Sequence, residues 1–167
     1  MARPSRPLPT ALAALLACAA LACLAAAPGA LPAQMTKPQV ASWLDGRQAR
    51  FDEVAMRIWD LAEVGYMEHE SSALLAGELE AAGFRVTRGV ADIPTAFVAE
   101  YGSGKPVLGM MGEFDALPGI NQDRVPFRNP IEGKPAGHAC GHNLFGTASA
   151  AAAMAAAEWL KQTGRGG

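Results

Sequence analysis

The spacing of apolar residues predicts three helices along the chain. Residues 36–62 place apolar side chains three or four positions apart, as an amphipathic helix does, before a glycine ends the pattern. Residues 71–82 repeat this spacing between serines that can cap a helix and a glycine at the C-terminal end. The third helix is rich in alanine, the residue with the highest helix propensity, and is predicted over residues 143–162 or 146–162.

Shorter apolar stretches predict three strands. Residues 84–88 alternate apolar and polar side chains, as a half-buried strand does. Residues 95–101 and 106–112 are apolar and of strand length, and the four residues between them predict a hairpin. Within the second of these strands, residues 107–111 have almost no polar face, which is typical of a strand buried on both sides.

The order of these elements is helix, helix, three strands, a long loop and a helix. It predicts an α/β fold, a mixed sheet with helices on both faces. The loop over residues 118–135 is proline-rich, and loops of this length are usually functional or disordered. Because it joins the two most polar motifs of the chain, we expect a functional loop.

Residues 1–33 are predicted to be a secretory signal peptide. Arg3 and Arg6 precede an apolar Ala/Leu run over residues 11–27, and small residues before Gln34 offer a cleavage site. A membrane anchor is an alternative, but the run is short for a span. A lipid attached at Cys23 is another. We expect an exported, periplasmic or secreted protein without stable membrane insertion after cleavage, whose mature domain covers residues 34–167.

Composition narrows the function classes further. The 167 residues suit one domain, and a net charge of −2 without a basic run predicts no nucleic-acid partner. Cleavage of the signal peptide would leave Cys140 as the one cysteine, so no internal disulfide is expected. That thiol therefore needs another explanation.

Two motifs contain the candidate chemistry. Glu113 and Asp115 follow the most apolar strand, at the end where ligands gather in open α/β sheets, although Asp115 could simply cap a turn. His138, Cys140 and His142 follow the loop. Cys140 and His142 are two apart, so an extended backbone would point both side chains at one cation. Thiolate, imidazole and carboxylate together suit zinc or manganese.

Other interpretations of the second motif stay open. His138 could bond a loop carbonyl, and we favour a role other than metal ligand for it. Cys140 could be a nucleophile with a neighbouring histidine as base. The cluster could also be incidental. His69 lies among acidic residues and is predicted to be a surface residue.

The motifs GEFDALPG and GHACGHNLFG resemble those of the co-catalytic metallopeptidase and amidohydrolase family of aminoacylases and glutamate carboxypeptidases. The resemblance covers about residues 36–167 and is strongest to the branch of hippurate, auxin-conjugate and aminobenzoyl-glutamate hydrolases. Within that branch, residues 118–130 are closest to the aminobenzoyl-glutamate utilisation B type. The HACGHN run is highly specific, whereas DALP alone would be weak.

The resemblance implies the N-terminal part of a zinc-peptidase-like catalytic domain with two divalent metal ions. Cys140 and His142 would be metal ligands, Asp115 would orient a ligand, and Glu113 stands where the wider family has a ligand histidine. The substrate would be a small N-acyl or N-aroyl amino acid. A general-base glutamate, further ligands and a lid and dimerisation domain would lie beyond residue 167, and full-length members would be homo-oligomeric.

Three hypotheses compete for the function. The first is an incomplete, inactive fragment of a metal-dependent amidohydrolase that cleaves aminobenzoyl-glutamate-like amides. The second is a non-catalytic periplasmic module that binds metal or a partner. The third is a hydrolase that uses Cys140 as its nucleophile.

Overall fold

The computed structural model describes residues 35–167, so the predicted signal peptide lies outside the described residues. No helix in the described part combines the length and the apolar character that crossing a membrane requires. A short 3₁₀ turn separates the first two strands. The elements in chain order are α1 Lys37–Asp45, α2 Gln48–Leu61, α3 His69–Ala81, β1 Arg85–Arg88, the turn Val90–Asp92, β2 Phe97–Glu100, β3 Leu117–Pro118, β4 Ala136–Gly137 and α4 His142–Thr163.

The predicted helix over residues 36–62 is present as two helices. Thr36 begins α1 with a capping box completed by Gln39, which satisfies backbone N–H groups at the helix start. The chain then breaks at Gly46 and Arg47 before α2 begins. Ala62 ends α2 in the left-handed conformation, at a φ of 45°.

Helices α2, α3 and α4 pack together around the larger hydrophobic core. Ile58 at its centre is 0% exposed. The alanine-rich face of α4 lets the helix approach its neighbours closely, because the methyl side chain of alanine is too small to hold the helix backbones apart. The buried residues of this core are Val54, Ile58, Leu75, Leu79, Ala150 and Met154.

The α/β class is confirmed, and the described strands form two antiparallel sheets of two strands each. The predicted pairing of residues 95–101 with residues 106–112 is wrong. Strand β2 pairs instead with β1, in a register that places Arg85 opposite Glu100.

Residues 107–111 do not form the buried strand that their composition predicts. They run without secondary structure, and Val107, Leu108 and Met111 are exposed. An apolar side chain favours burial, but a strand also needs a neighbouring backbone to pair with. No described strand pairs with this segment, which borders an apolar cleft that β2 and α4 also line.

Glu63 connects the start of α3 to the segment that contains Asp115 through hydrogen bonds. Its carboxylate accepts hydrogen bonds from the backbone N–H groups of Glu70 and Ser71, at 3.0 and 2.7 Å, and from the Ser71 hydroxyl at 2.7 Å. These groups lie at the start of α3, where backbone donors lack partners within the helix. The Glu63 carbonyl also accepts from the N–H of Ala116, at 2.7 Å. The residue therefore fixes α3 to the chain just after Asp115.

The pKa of Glu63 lies below its ordinary value of 4.5. Burial raises this pKa, but the hydrogen bonds from Glu70 and Ser71 to the ionised form together outweigh burial. A depressed folded-state pKa stabilises the fold above the unfolded-state pKa, and this stabilisation is lost as the pH falls through the folded-state pKa.

Glu63→Gln is therefore expected to lower the free energy of unfolding at pH 7 by about 0.5–2 kcal/mol, the usual value of a helix cap. The difference from the wild type should shrink as the pH falls below 4.5. Urea unfolding of both proteins at pH 7 and near the acid limit of folding measures it. Glu132→Gln, in an exposed loop, is the control and should change stability by less than about 0.5 kcal/mol. A difference for Glu63→Gln that is equal at both pH values would contradict the capping role.

Candidate metal centre

A short two-stranded ladder brings the two polar motifs together. Leu117 pairs with Gly137 and Pro118 with Ala136. Asp115 lies two residues before one side of this ladder, and the histidine motif follows directly after the other. The pairing of β3 with β4 therefore brings the two ends of the long loop together. Both polar motifs lie next to these paired strands, outside the loop.

The loop over residues 118–135 is held by its own polar groups. Asn121 accepts a hydrogen bond from the N–H of Ile131 at 2.6 Å, and Lys134 donates to the carbonyl of Trp59 at 2.9 Å. The Lys134 ammonium also lies 4.2 Å from the Trp59 ring centroid, within reach of a cation–π interaction. A Cβ on Gly137 would come within 2.7 Å of Asn121, so only glycine permits this closure.

The segment with the two carboxylates is seated against α4. Phe114 points inward and stacks with Phe97, at 6.1 Å between ring centroids. Side chains alternate along an extended chain, so Glu113 and Asp115 point together to the other side. Gly146 permits the contact, because a Cβ there would lie 2.9 Å from the Glu113 carbonyl oxygen.

Glu113, Asp115 and His142 converge at the start of α4. The Nδ1 atom of His142 lies 2.8 Å from Oδ1 of Asp115, and its Nε2 atom lies 3.1 Å from Oε2 of Glu113. A neutral imidazole donates from one nitrogen only, and an ionised carboxylate only accepts. A neutral His142 can therefore satisfy only one of the two carboxylates. The other contact becomes favourable if a second proton or a metal ion lies between that ring nitrogen and the carboxylate.

The donor set fits a divalent cation. One ligand atom from each of the three residues falls within 4.8 Å of the others. Nitrogen and oxygen ligands about 2.0–2.2 Å from one ion lie roughly 2.8–3.6 Å apart for angles at the ion between about 90° and about 109°. This range accommodates the 3.1 Å between His142 Nε2 and Glu113 Oε2. Asp115 at Nδ1 corresponds to the carboxylate that usually orients a metal-bound histidine.

Cys140 lies outside this group. Its thiol is free and exposed. The prediction that Cys140 and His142 point the same way assumed an extended backbone, but the segment turns: the N–H of Gly141 bonds the carbonyl of His138 at 3.0 Å, and Gly141 has a φ of 84°. The structure therefore places Glu113, Asp115 and His142 together and leaves the thiol in a turn two residues away.

His138 is buried and bonded to the backbone of α2. It is 9% exposed, and its Nε2 atom lies 3.1 Å from the carbonyl oxygen of Ile58. Burial lowers the pKa of His138, and this outweighs the hydrogen bond to Ile58, which raises it. The carbonyl accepts, so Nε2 carries the proton of the neutral ring. The remaining Nδ1 atom has no hydrogen-bond partner among the described residues. His69 is exposed, as predicted.

Asn143 is a buried polar residue that the motifs did not single out. It is 5% exposed and donates from Nδ2 to the carbonyl of Ala55 at 3.2 Å. The sequence did contain a signal, since an amide at the second position of an apolar helix must find a partner if it is buried. The partner lies 88 residues away, which no local pattern reveals.

No family model matches the chain. The known proteins whose sequences are similar to it are hydrolases and peptidases. The chain is 46% identical to one of the subunits of the p-aminobenzoyl-glutamate hydrolase of Escherichia coli over 126 residues, which are 74% of this chain and 26% of that protein. It is 32% identical to the human Xaa-Arg dipeptidase over 135 residues, 72% of this chain and 27% of the relative. Thermostable carboxypeptidase 2 of Saccharolobus solfataricus is 32% identical over 93 residues, 54% of this chain and 23% of the relative.

These relatives are named as a hydrolase, a dipeptidase and a carboxypeptidase, which agrees with the amidohydrolase and peptidase class that the resemblance of the two motifs implies. The chain belongs to this amidohydrolase and peptidase family. It spans about a quarter of the length of the curated relatives that it matches.

Proposed function

We propose that the whole protein hydrolyses the amide bond of an N-acyl or N-aroyl amino acid, with a substrate similar to p-aminobenzoyl-glutamate. The relative with 46% identity has that substrate in its name. We assign the complete reaction to the whole protein and part of the metal site to this chain. The observation that carries the proposal is the position of His142 between Glu113 and Asp115.

His142 Nε2 and Glu113 Oε2 would hold a divalent cation such as zinc or manganese. The cation supplies Lewis acidity toward the amide carbonyl and lowers the pKa of a coordinated water. Asp115 accepts a hydrogen bond from the Nδ1–H group of His142, which fixes the ring so that the Nε2 lone pair faces the ligand position. Glu113 is 53% exposed, so its carboxylate is accessible to a cation and a substrate from solvent.

The contacts of the two histidines favour this proposal over a cysteine nucleophile. Such a nucleophile needs a neighbouring base within hydrogen-bond reach. Both ring nitrogens of His142 face carboxylates, and Nε2 of His138 is bonded to Ile58. Nδ1 of His138 makes no hydrogen bond among the described residues, so neither ring is bonded to the Cys140 thiol. The exposed thiol of Cys140 has no described side chain as a hydrogen-bond partner.

Protection of Cys140 from alkylation tests the metal site. The thiol is two residues from His142, so zinc held there is expected to slow labelling of Cys140 by iodoacetamide, measured by peptide mass spectrometry at that site. Glu113→Gln keeps the shape of the side chain but removes the charge, and it should lose most of the protection.

Two results would contradict the proposal. Zinc that leaves the wild-type labelling rate unchanged would argue against a cation held at His142, two residues from the thiol. Equal protection in wild type and Glu113→Gln would argue against the site formed with His142 and place the zinc elsewhere.

A further inference from the structure

We propose that His138 and Asn143 are positioning residues that hold the turn between them in place for cation binding. This inference rests on the proposed metal site. It concerns two buried polar side chains that the site itself does not use, one on each side of the segment that contains Cys140 and His142.

The two side chains tie both ends of the turn to one helix. His138 donates from Nε2 to the Ile58 carbonyl at 3.1 Å, and Asn143 donates from Nδ2 to the Ala55 carbonyl at 3.2 Å. Ala55 and Ile58 are one helical turn apart on α2 and are themselves buried. The two acceptor carbonyls are thus fixed by the packing of α2 in the core. The turn is hydrogen-bonded to this helix at both of its ends.

The backbone carbonyls have the capacity for these bonds. Each has two lone pairs, and the Ile58 carbonyl already accepts from the N–H of Ala62 at 3.0 Å while it accepts from His138. Both donors are more than nine-tenths buried, so water cannot replace a lost partner. Either bond, once removed, leaves an unpaired group in the interior and releases one end of the turn.

The position of the turn affects the proposed site because His142, at the C-terminal end of the turn, contacts Glu113 and Asp115. His138 closes the near end through its own carbonyl, which accepts from Gly141 at 3.0 Å. A shift of this turn therefore moves the imidazole of His142 relative to the two carboxylates. Metal sites are sensitive to such support, since loss of an outer-shell partner typically weakens affinity by roughly 10–100-fold.

Titration of the chain with Co²⁺, followed by visible absorption, tests the role of His138. His138→Leu is expected to raise the Kd for Co²⁺ by at least about tenfold and to change the ligand-field bands. His138→Gln, whose amide can donate where Nε2 donates, should bring the Kd back to within about threefold of the wild type. His69→Leu, a change at an exposed histidine, is the matched control and should leave both readouts unchanged.

Thermal unfolding without metal separates positioning from stability. If His138→Leu only lowers the Tm, while its folded form binds Co²⁺ with the wild-type Kd and spectrum, the positioning role is overturned. Asn143→Leu repeats the test at the other end of the turn, and unchanged Co²⁺ binding by both folded variants would exclude the two-point attachment. If wild type and His142→Ala bind Co²⁺ alike, the proposed metal site itself fails.

NMR of the histidine ring nitrogens tests the wild-type chain and needs no variant to fold. We expect His138 as the neutral ring protonated at Nε2, with the same Nδ1 shift before and after addition of Zn²⁺. A proton found on Nδ1, with Nε2 bare, would rule out donation to Ile58. A large Zn²⁺-dependent shift at Nδ1 would make His138 a ligand and overturn the positioning role.

Discussion

His142→Ala is expected to raise the Kd of the chain for Co²⁺ by at least about 100-fold, since loss of an outer-shell partner alone costs roughly 10–100-fold. His142 is the one imidazole of the three-residue group. Its removal takes away the proposed nitrogen ligand and the ring that contacts both Asp115 and Glu113. The remaining carboxylates are partly exposed and would hold a cation only weakly. Isothermal titration or visible absorption with Co²⁺ measures the change.

The control for this variant is His69→Ala, which removes an exposed imidazole from the start of α3 and should bind Co²⁺ as the wild type does. The free energy of unfolding without metal should change little, by less than about 1 kcal/mol, because His142 contacts partly exposed carboxylates rather than the core. Wild-type affinity in His142→Ala would remove the basis of the proposed function.

The helices could be predicted from sequence because their signal is local. Apolar residues at helical spacing identify α2, α3 and α4 from their own side chains. Gly46 interrupts the first predicted helix without disturbing the apolar spacing on either side, so periodicity alone does not reveal the break between α1 and α2. The strands needed more information than the sequence pattern contains.

Residues 107–111 illustrate what a local pattern omits. Their composition indicates that the side chains avoid water, but pairing depends on which backbone lies beside them. That neighbour is set by distant parts of the chain: β2, the expected partner of this segment, pairs with β1 instead. The apolar segment consequently stays exposed among the described residues.

The candidate site was partly accessible to the same reasoning. Glu113 and Asp115 were singled out in one motif and His142 in another, and only the family resemblance implied that Asp115 orients a ligand. The structure brings these three residues together. The position of Cys140 depends on a turn closed by the N–H of Gly141, so the rule for extended chains did not apply. Asn143 bonds a helix 88 residues away, and such contacts appear only in three dimensions.

Gly146→Ala is expected to lower the free energy of unfolding by about 1–3 kcal/mol, the usual cost of overpacking a dense interior. A Cβ on Gly146 would lie 2.9 Å from the Glu113 carbonyl oxygen and 3.1 Å from the Cβ of Phe114. The first of these is a backbone atom, which cannot rotate away. The substitution gains helix propensity in α4, but the collision forces the carboxylate segment off the helix. Chemical denaturation measures the loss.

Gly77→Ala is the matched control, because Gly77 also lies inside a helix but has no atom within 4 Å of the added Cβ. It should therefore raise stability by roughly 0.5–1 kcal/mol through propensity alone. The opposite signs of the two changes isolate the contact between Gly146 and Glu113. Since Glu113 moves with its backbone, Gly146→Ala should also weaken Co²⁺ binding, whereas Gly77→Ala should not. Stabilisation by both substitutions would mean that the carboxylate segment does not rest on α4, and the convergence of Glu113 with His142 would lose its structural support.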